Sequence, residues 1–188
     1  MEKQKQILVK KNKYWLSEIG AMFFQYQVGY QVYDYSSEAN LVKQGVDLFV
    51  LNKQNIPTYV LVEGNTLPFD KLYFPIMDND KPSRLMSSEA DFVLFYDINQ
   101  SDISLIDLPL LQEKINYNFT KGAWKSYKLV EKGSQKGIQV SKNDEIIKEP
   151  LNVYKLKPQL FDKAVKIYDF RISKKLVNEP KALETSRQ

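Results

Sequence analysis

Two short apolar segments, each carrying an acid, constrain this chain more than any other feature. The first runs from Val46 to Leu51 and the second from Thr58 to Glu63, and the intervening turn is rich in Asn and ends in Pro. This pattern predicts two strands joined as an antiparallel hairpin. Asp47 begins the first segment and Glu63 ends the second, sixteen positions later. A hairpin therefore brings both carboxylates to one end of a sheet.

Two carboxylates that converge in this way have a recognisable chemistry. Adjacent strands that present carboxylates hold hard divalent cations, and such cations drive phosphodiester hydrolysis. Aspartate is unfavourable inside strands, and a half-buried acid requires a partner or an ion. Asp47 and Glu63 therefore predict a metal site in a nuclease or in an inactive relative. The alternative is that both acids face water on a two-sided sheet.

Composition removes many other classes of protein. The 188 residues are 43% hydrophobic, which suits one folded domain with its own core. The chain contains no Cys and no His, which excludes disulfides, thiolate or imidazole metal sites and His-dependent catalysis. An enzyme of this composition uses carboxylates, Lys, Tyr or Ser, with Mg²⁺ or Mn²⁺ as its metal. The chain has no membrane-spanning run and no secretion signal, so we expect a cytoplasmic protein with no membrane partner.

The order of helical and strand patterns predicts an α/β (α+β) fold with a mixed central β-sheet flanked by helices. An amphipathic helix over 13–28 is expected to end at Gly29, and a second helix is expected to begin at Asp107. Residues 64–87 hold four Pro or Gly and are expected to be an irregular connection. The expected strands are 30–35, 46–51, 58–63, 90–96 and 103–106.

Charge divides the chain into two parts. Residues 1–120 hold 11 Lys/Arg and 15 Asp/Glu, whereas residues 121–188 hold 16 and 8, for net charges of −4 and +8. We therefore expect a core over 1–120 and a basic C-terminal hairpin plus helix over 121–188, packed on that core. An acidic N-terminal part and a basic C-terminal part fit a metal site beside a phosphate-binding surface. A solvated lysine-rich face gives the same charge pattern.

Two segments resemble a known superfamily of nucleases. Gln44-Gly45-Val46-Asp47, followed by Val60-Leu61-Val62-Glu63-Gly64-Asn65, is similar to the core motif of the PD-(D/E)xK, or restriction-endonuclease-like, nucleases. Residues 84–96, Arg-Leu-Met-Ser-Ser-Glu-Ala-Asp-Phe-Val-Leu-Phe-Tyr, resemble the third core strand of small phage- and plasmid-type members. The likeness covers about residues 13–116 and implies a metal-dependent protein that acts on DNA.

The resemblance implies roles for four residues. Asp47 is the first metal ligand, Glu63 the second, and the carbonyl of Gly64 a further ligand for Mg²⁺ or Mn²⁺. Asn65 stands where the superfamily has a catalytic lysine, which positions the attacking water and stabilises charge on the phosphate. An Asn carries no charge, so either a lysine from elsewhere reaches the site, or cleavage is slow, or the protein only binds. Glu18 and Glu38 are candidates for a third carboxylate.

Basic residues outside the motif are candidates for binding nucleic acid. The first three in the chain are lysines that could replace the missing lysine of the motif. The fourth is an arginine suited to binding phosphate, and the last two are lysines on either side of Trp124. In chain order they are Lys43, Lys53, Lys71, Arg84, Lys121 and Lys125.

Three functions remain open at this point. The first is a metal-dependent endonuclease that hydrolyses DNA phosphodiesters. Many proteins of the nuclease fold cut as dimers, and the sequence leaves open whether this chain forms a homodimer. The second is a catalytically inactive module on the same fold that binds DNA or protein for a phage or plasmid. The third is an adaptor whose basic C-terminal region docks an acidic protein partner.

Overall fold

The fold is mixed α/β, with two sheets and a few helices. A computed structural model describes most of the chain, and the architecture below refers to those residues. The described ranges are 13–34, 44–65, 70–97, 102–122, 127–149, 151–160 and 162–163.

Ten strands, four α-helices and one π-helical segment lie entirely within these ranges. In chain order they are α1 (Lys13–Met22), the π-helical segment (Phe23–Val28), β1 (Gln31–Asp34), β2 (Leu48–Leu51), β3 (Pro57–Asn65), β4 (Lys71–Asp78), β5 (Lys81–Pro82), α2 (Arg84–Ser87), β6 (Phe92–Asp97), β7 (Asp102–Asp107), α3 (Leu108–Thr120), β8 (Lys128–Lys132), β9 (Gln135–Ser141), α4 (Glu145–Lys148) and β10 (Leu151–Lys155).

A six-stranded mixed sheet forms the centre, in the order β1-β2-β3-β6-β7-β10. Strands β1, β2 and β3 form an antiparallel meander, and β6 then lies parallel to β3. Strands β7 and β10 complete the sheet in antiparallel pairs. The predicted mixed central sheet and the hairpin of β2 and β3 are therefore confirmed.

Helix α1 covers one face of this sheet. Its residues from Leu16 to Met22 are all buried, and the apolar ones pack against alternate residues of the strands beneath, among them Val60, Val62 and Leu94. Gly20 permits the close approach, because a Cβ at this position would lie 3.0 Å from the Leu48 side chain. The π-helical segment ends at Gly29, whose φ of 83° is left-handed and so favours glycine. The helix predicted to end at this glycine is confirmed.

A four-stranded antiparallel sheet, in the order β5-β4-β9-β8, lies against the other face. Its strand β4 falls within 64–87, so the expectation of an irregular connection there was wrong. Leu72, Phe74 and Ile76 alternate into the core, but the prolines around them obscured this pattern. Pro75 is tolerated because the register with β9 shifts directly after it, and a proline is compatible with such a bulge.

The chain beyond residue 120 contributes to both sheets. Strand β8 pairs with β9, and β9 pairs with β4 of the second sheet. Strand β10 pairs with β7 at the edge of the central sheet. Residues 158–160 are helical and fall in the C-terminal region where a helix was expected, and most of the chain after them lies outside the described residues. No helix in the described ranges is both long enough and apolar enough to cross a membrane.

The core between α1 and the central sheet is expected to respond strongly to truncation. Leu94 is fully buried there, whereas Leu129 on β8 is 53% exposed. We expect Leu94→Ala to lower the free energy of unfolding by about 2–5 kcal/mol, because apolar burial is reduced and a cavity remains. The matched Leu129→Ala should change it by less than about 0.5 kcal/mol. Urea unfolding measures both, and equal losses would contradict the described burial.

A candidate site of two carboxylates and an arginine

Asp47 lies where strand β2 begins, and its side chain is fully buried. Its backbone N–H donates to the carbonyl of Val60, with an N···O distance of 2.9 Å. Its Oδ2 accepts the backbone N–H of Val62 at 2.8 Å. The carboxylate therefore takes the place of a strand carbonyl at the end of the β2–β3 pairing. An acid buried to this degree requires a cation close by.

The guanidinium of Arg84 supplies that cation. Nη2 donates to Oδ1 of Asp47 at 2.8 Å, and Nη1 donates to Oδ2 at 3.0 Å. Two parallel charge-assisted hydrogen bonds of this kind form the strongest geometry available to an arginine and a carboxylate. The side chain of Arg84 is 25% exposed, so its outer part reaches solvent.

Glu63 lies on the other side of the same guanidinium. Its Oε1 is 3.8 Å from Nη1 of Arg84, and its side chain is 29% exposed. The two acids singled out in the sequence are thus brought together, and both contact one arginine. We call Asp47, Glu63 and Arg84 the carboxylate–arginine cluster.

Helix α2 carries Arg84 and is held by several polar contacts. Ser83 caps its first turn by accepting the N–H of Met86, and its hydroxyl donates to the carbonyl of Pro75 in β4. The side-chain amide of Gln112 donates to the carbonyls of Leu85 and Ser88. These contacts fix the helix between the second sheet and α3, and so aim Arg84 at Asp47.

The turn before Asp47 is fitted to the same region. Gly45 has a φ of 77°, and a Cβ there would lie 2.5 Å from the Cβ of Ser88. The hydroxyl of Ser88 donates to the carbonyl of Gly45 at 2.9 Å. Only glycine meets both the backbone conformation and the close approach. The Gly-Val-Asp sequence therefore serves to seat Asp47 against α2.

A divalent cation does not fit the cluster as it is arranged. Both oxygens of Asp47 accept hydrogen bonds from Arg84, and the guanidinium lies where a metal bridging the two acids would lie. No group of three or more metal-ligating acids forms among the described residues. Glu18 lies on α1, which packs on the opposite face of the sheet, and Glu38 is outside the described ranges. Binding of Mg²⁺ or Mn²⁺ stays a prediction that this arrangement does not favour.

Asn65 and Gly64 occupy the end of β3 next to the cluster. Asn65 is 2% exposed, and its side-chain amide donates to the carbonyl of Lys71 at 2.8 Å. This hydrogen bond ties the end of β3 to the start of β4. Gly64 is exposed in the same strand. The predicted roles of Gly64 as a ligand and Asn65 as a catalytic group stay predictions.

The lysines predicted to bind nucleic acid lie on separate elements. Lys53 is exposed in the β2–β3 turn, Lys71 begins β4, and Lys121 is exposed just after α3. The Nζ of Lys121 lies 5.8 Å from the ring centroid of Tyr117. Lys43 and Lys125 are outside the described residues. The expected binding of nucleic acid by these lysines stays a prediction.

A second set of buried charges lies beside Asn65, and the sequence patterns did not reveal it. Asp97 is in register with Asn65 across β3 and β6, and with Asp102 across β6 and β7. Both aspartates are 1% exposed. Lys142 lies 3.8 Å from Asp97, and Lys155 lies 2.6 Å from Asp102. Each acid is therefore paired with a lysine from the C-terminal third of the chain.

The pairing of Arg84 with Asp47 was also missed by sequence reasoning. The sequence suggested Arg84 as a phosphate contact, and the two residues are 37 positions apart. The sequence did indicate that Asp47, as a half-buried acid, needs a partner or an ion, but it led to the prediction of a metal ion. The structure supplies an arginine.

Comparisons with known proteins return no matching family model, no matching curated protein and no matching solved structure. The likeness to restriction-endonuclease-like nucleases therefore rests on the motif residues quoted above. It implies a mixed sheet, and the central sheet is mixed.

Removal of Arg84 should leave Asp47 buried without its principal cation. We expect Arg84→Met to lower the free energy of unfolding by about 3–5 kcal/mol. Asp47→Asn keeps an oxygen for the N–H of Val62, so the double variant Asp47→Asn/Arg84→Met should recover a large part of that loss. Chemical denaturation of the wild type, both single variants and the double variant gives the coupling free energy. Additive effects would contradict a structural ion pair.

Proposed function

We propose that this chain is a catalytically inactive relative of restriction-endonuclease-like nucleases that binds nucleic acid. The observation that carries the proposal is the bidentate contact of Arg84 with fully buried Asp47, at 2.8 and 3.0 Å. A guanidinium supplies the positive charge that holds the two carboxylates together.

The chemistry of a guanidinium differs from that of a bound cation. A metal lowers the pKa of its bound water and so generates a nucleophile near neutral pH. Arginine has no coordination positions and stays protonated in proteins, so it can neither activate water in this way nor act as a base. Asn65 adds no charge for the phosphate in place of the usual lysine. Two parts of the expected catalytic apparatus are thus replaced by groups that bind but do not activate.

A basic face of the second sheet supports the binding part of the proposal. Strand alternation places Lys71, Lys128 and Lys132 on the side of this sheet that carries Tyr73, away from the core. The Nζ of Lys132 lies 4.1 Å from the ring centroid of Tyr73. Burial lowers the pKa of Lys132, whereas burial and then Asp78 raise the pKa of the Tyr73 hydroxyl. Surface lysines neutralise phosphates without reading base sequence. We call these three lysines the basic face.

A metal-dependent endonuclease is the second candidate, and one observation favours it. Glu63 and Arg84 are both partly exposed, and Glu63 lies as far as 3.8 Å from the guanidinium. A rotation of Arg84 away from the cluster would therefore open a route for a cation from solvent. This candidate predicts cleavage, whereas the inactive relative does not.

Plasmid nicking distinguishes the two candidates. We expect wild type to leave supercoiled plasmid intact with Mg²⁺ or Mn²⁺, because Arg84 holds Asp47. In calorimetry with Mn²⁺, wild type and Asp47→Asn should give the same signal, because Arg84 rather than a metal neutralises Asp47. If wild type cleaves the plasmid, and both Asp47→Asn and Glu63→Gln abolish the cleavage, the proposal is overturned in favour of the endonuclease.

Binding of duplex DNA should depend on the basic face and not on metal. We expect equal affinity in EDTA and in Mn²⁺ by fluorescence anisotropy. Lys128→Gln/Lys132→Gln should weaken binding and reduce the slope of log affinity against log salt by roughly 0.9 for each phosphate that is no longer neutralised. The control Lys148→Gln/Lys157→Gln removes the same charge from other exposed positions. Equal effects of the two pairs would contradict the assignment of this face.

A further inference from the structure

Three aromatic side chains form a row across the first three strands of the central sheet. Tyr33 on β1 is in register with Phe49 on β2, and Phe49 is in register with Tyr59 on β3. The ring centroids are 5.6 Å apart for the first pair and 5.4 Å apart for the second. We call these three residues the aromatic row.

The two tyrosines of the aromatic row are exposed to solvent, and Phe49 between them is half-buried. Tyr33 is 46% exposed and Tyr59 is 41% exposed, and Ile56 nearby is 56% exposed. Alternation places Phe49 and Tyr59 on the side of the sheet that also carries Leu61, which packs toward the second sheet. Large aromatic side chains are rarely left clustered at a surface unless a partner covers them.

A carboxylate lies next to the aromatic row, just before strand β6. Asp91 lies one residue before β6 and directly beside Tyr59. The backbone N–H of Tyr59 donates to Oδ2 of Asp91 at 2.7 Å, and the backbone N–H of Asp91 donates to the carbonyl of Tyr59 at 2.9 Å. Asp91 is exposed, so its negative charge lies at the end of the three rings.

The charges around the row are mainly negative. Asp47 and Glu63 share one cation, Arg84, so the carboxylate–arginine cluster carries a net negative charge. Glu89 and Asp91 add two further acids, and Lys53 in the β2–β3 turn is a described lysine on the neighbouring turn. A polyanion such as nucleic acid is repelled from such a surface, and a cationic partner is attracted.

We propose that the aromatic row is a docking site for a protein segment that carries arginine or lysine side chains. Guanidinium and ammonium groups bind the faces of Tyr and Phe rings, and arginine also stacks on them. Asp91 supplies a carboxylate at the end of the rings. The site lies on a different sheet from the basic face and does not depend on the proposed function.

Fluorescence anisotropy with a labelled Arg-Ala repeat peptide tests the site directly. We expect wild type to bind this peptide more tightly than a Ser-Ala repeat of equal length. Tyr33→Ser and Tyr59→Ser should each weaken binding about two- to fivefold, as expected for a cation–π contact at an exposed position. Asp91→Asn should also weaken binding, and it keeps an oxygen for the N–H of Tyr59.

Matched controls separate this site from general attraction to an acidic surface. Tyr117 is a tyrosine on α3 that is 62% exposed, and Asp80 is an exposed acid on the β4–β5 turn. We expect Tyr117→Ser and Asp80→Asn to leave peptide affinity unchanged. Thermal melts should show that all variants remain folded.

Three results would overturn the proposal. The first is the absence of measurable preference for the arginine peptide over the serine peptide. The second is an equal loss of affinity in the control variants. The third is loss of single-stranded oligonucleotide binding in Tyr59→Ser, which would make the row a base-stacking surface instead. None of these results bears on plasmid nicking or on duplex binding by the basic face.

Discussion

The ion pair of Asp47 and Arg84 is the interaction on which the arrangement of this end of the molecule depends. A fully buried carboxylate is unfavourable unless hydrogen bonds and a cation satisfy it. Asp47 obtains one hydrogen bond from Val62 in the central sheet and two from Arg84 on α2. The pair therefore links the β2–β3 hairpin to the short helix α2, which follows β5. Gly45 beside Asp47 and the Ser83 cap of α2 hold the two sides of the pair in place.

Local patterns in the sequence predicted the local structure well. The hairpin of β2 and β3, the helix that ends at Gly29 and the strand over β6 all follow from periodicity and turn residues, which act over a few positions. Strand β4 was missed because prolines surround its alternating apolar residues, and a bulge after Pro75 accommodates one of them. The contact of Arg84 with Asp47 was missed for a different reason. It joins residues 37 positions apart, and no local pattern specifies which cation neutralises a buried acid.

The acidic part of the sequence, 1–120, and the basic part, 121–188, contribute to different surfaces of the two sheets. Strand β8 comes from the basic half and contributes Lys128 and Lys132 to the outer side of the second sheet. The aromatic row and its neighbouring acids come from the acidic half and lie on the central sheet. Because charges separated by more than about 10 Å are largely screened at 0.1 M salt, each surface presents its own sign to a partner. The net charge of +4 is therefore the sum of two surfaces of opposite sign.

A neutral residue at position 65 is physically consistent with an arginine at the cluster. Asn65 is 2% exposed, and a lysine at this depth would need an acid of its own to offset its lost hydration. Its neighbour in register is Asp97, and Lys142 from the end of β9 already lies 3.8 Å from that carboxylate. The neutral amide instead donates to the carbonyl of Lys71, which fixes the start of β4. Arg84 supplies the cation beside Asp47 and Lys142 the cation beside Asp97, so a neutral residue at position 65 leaves neither acid without a counter-charge.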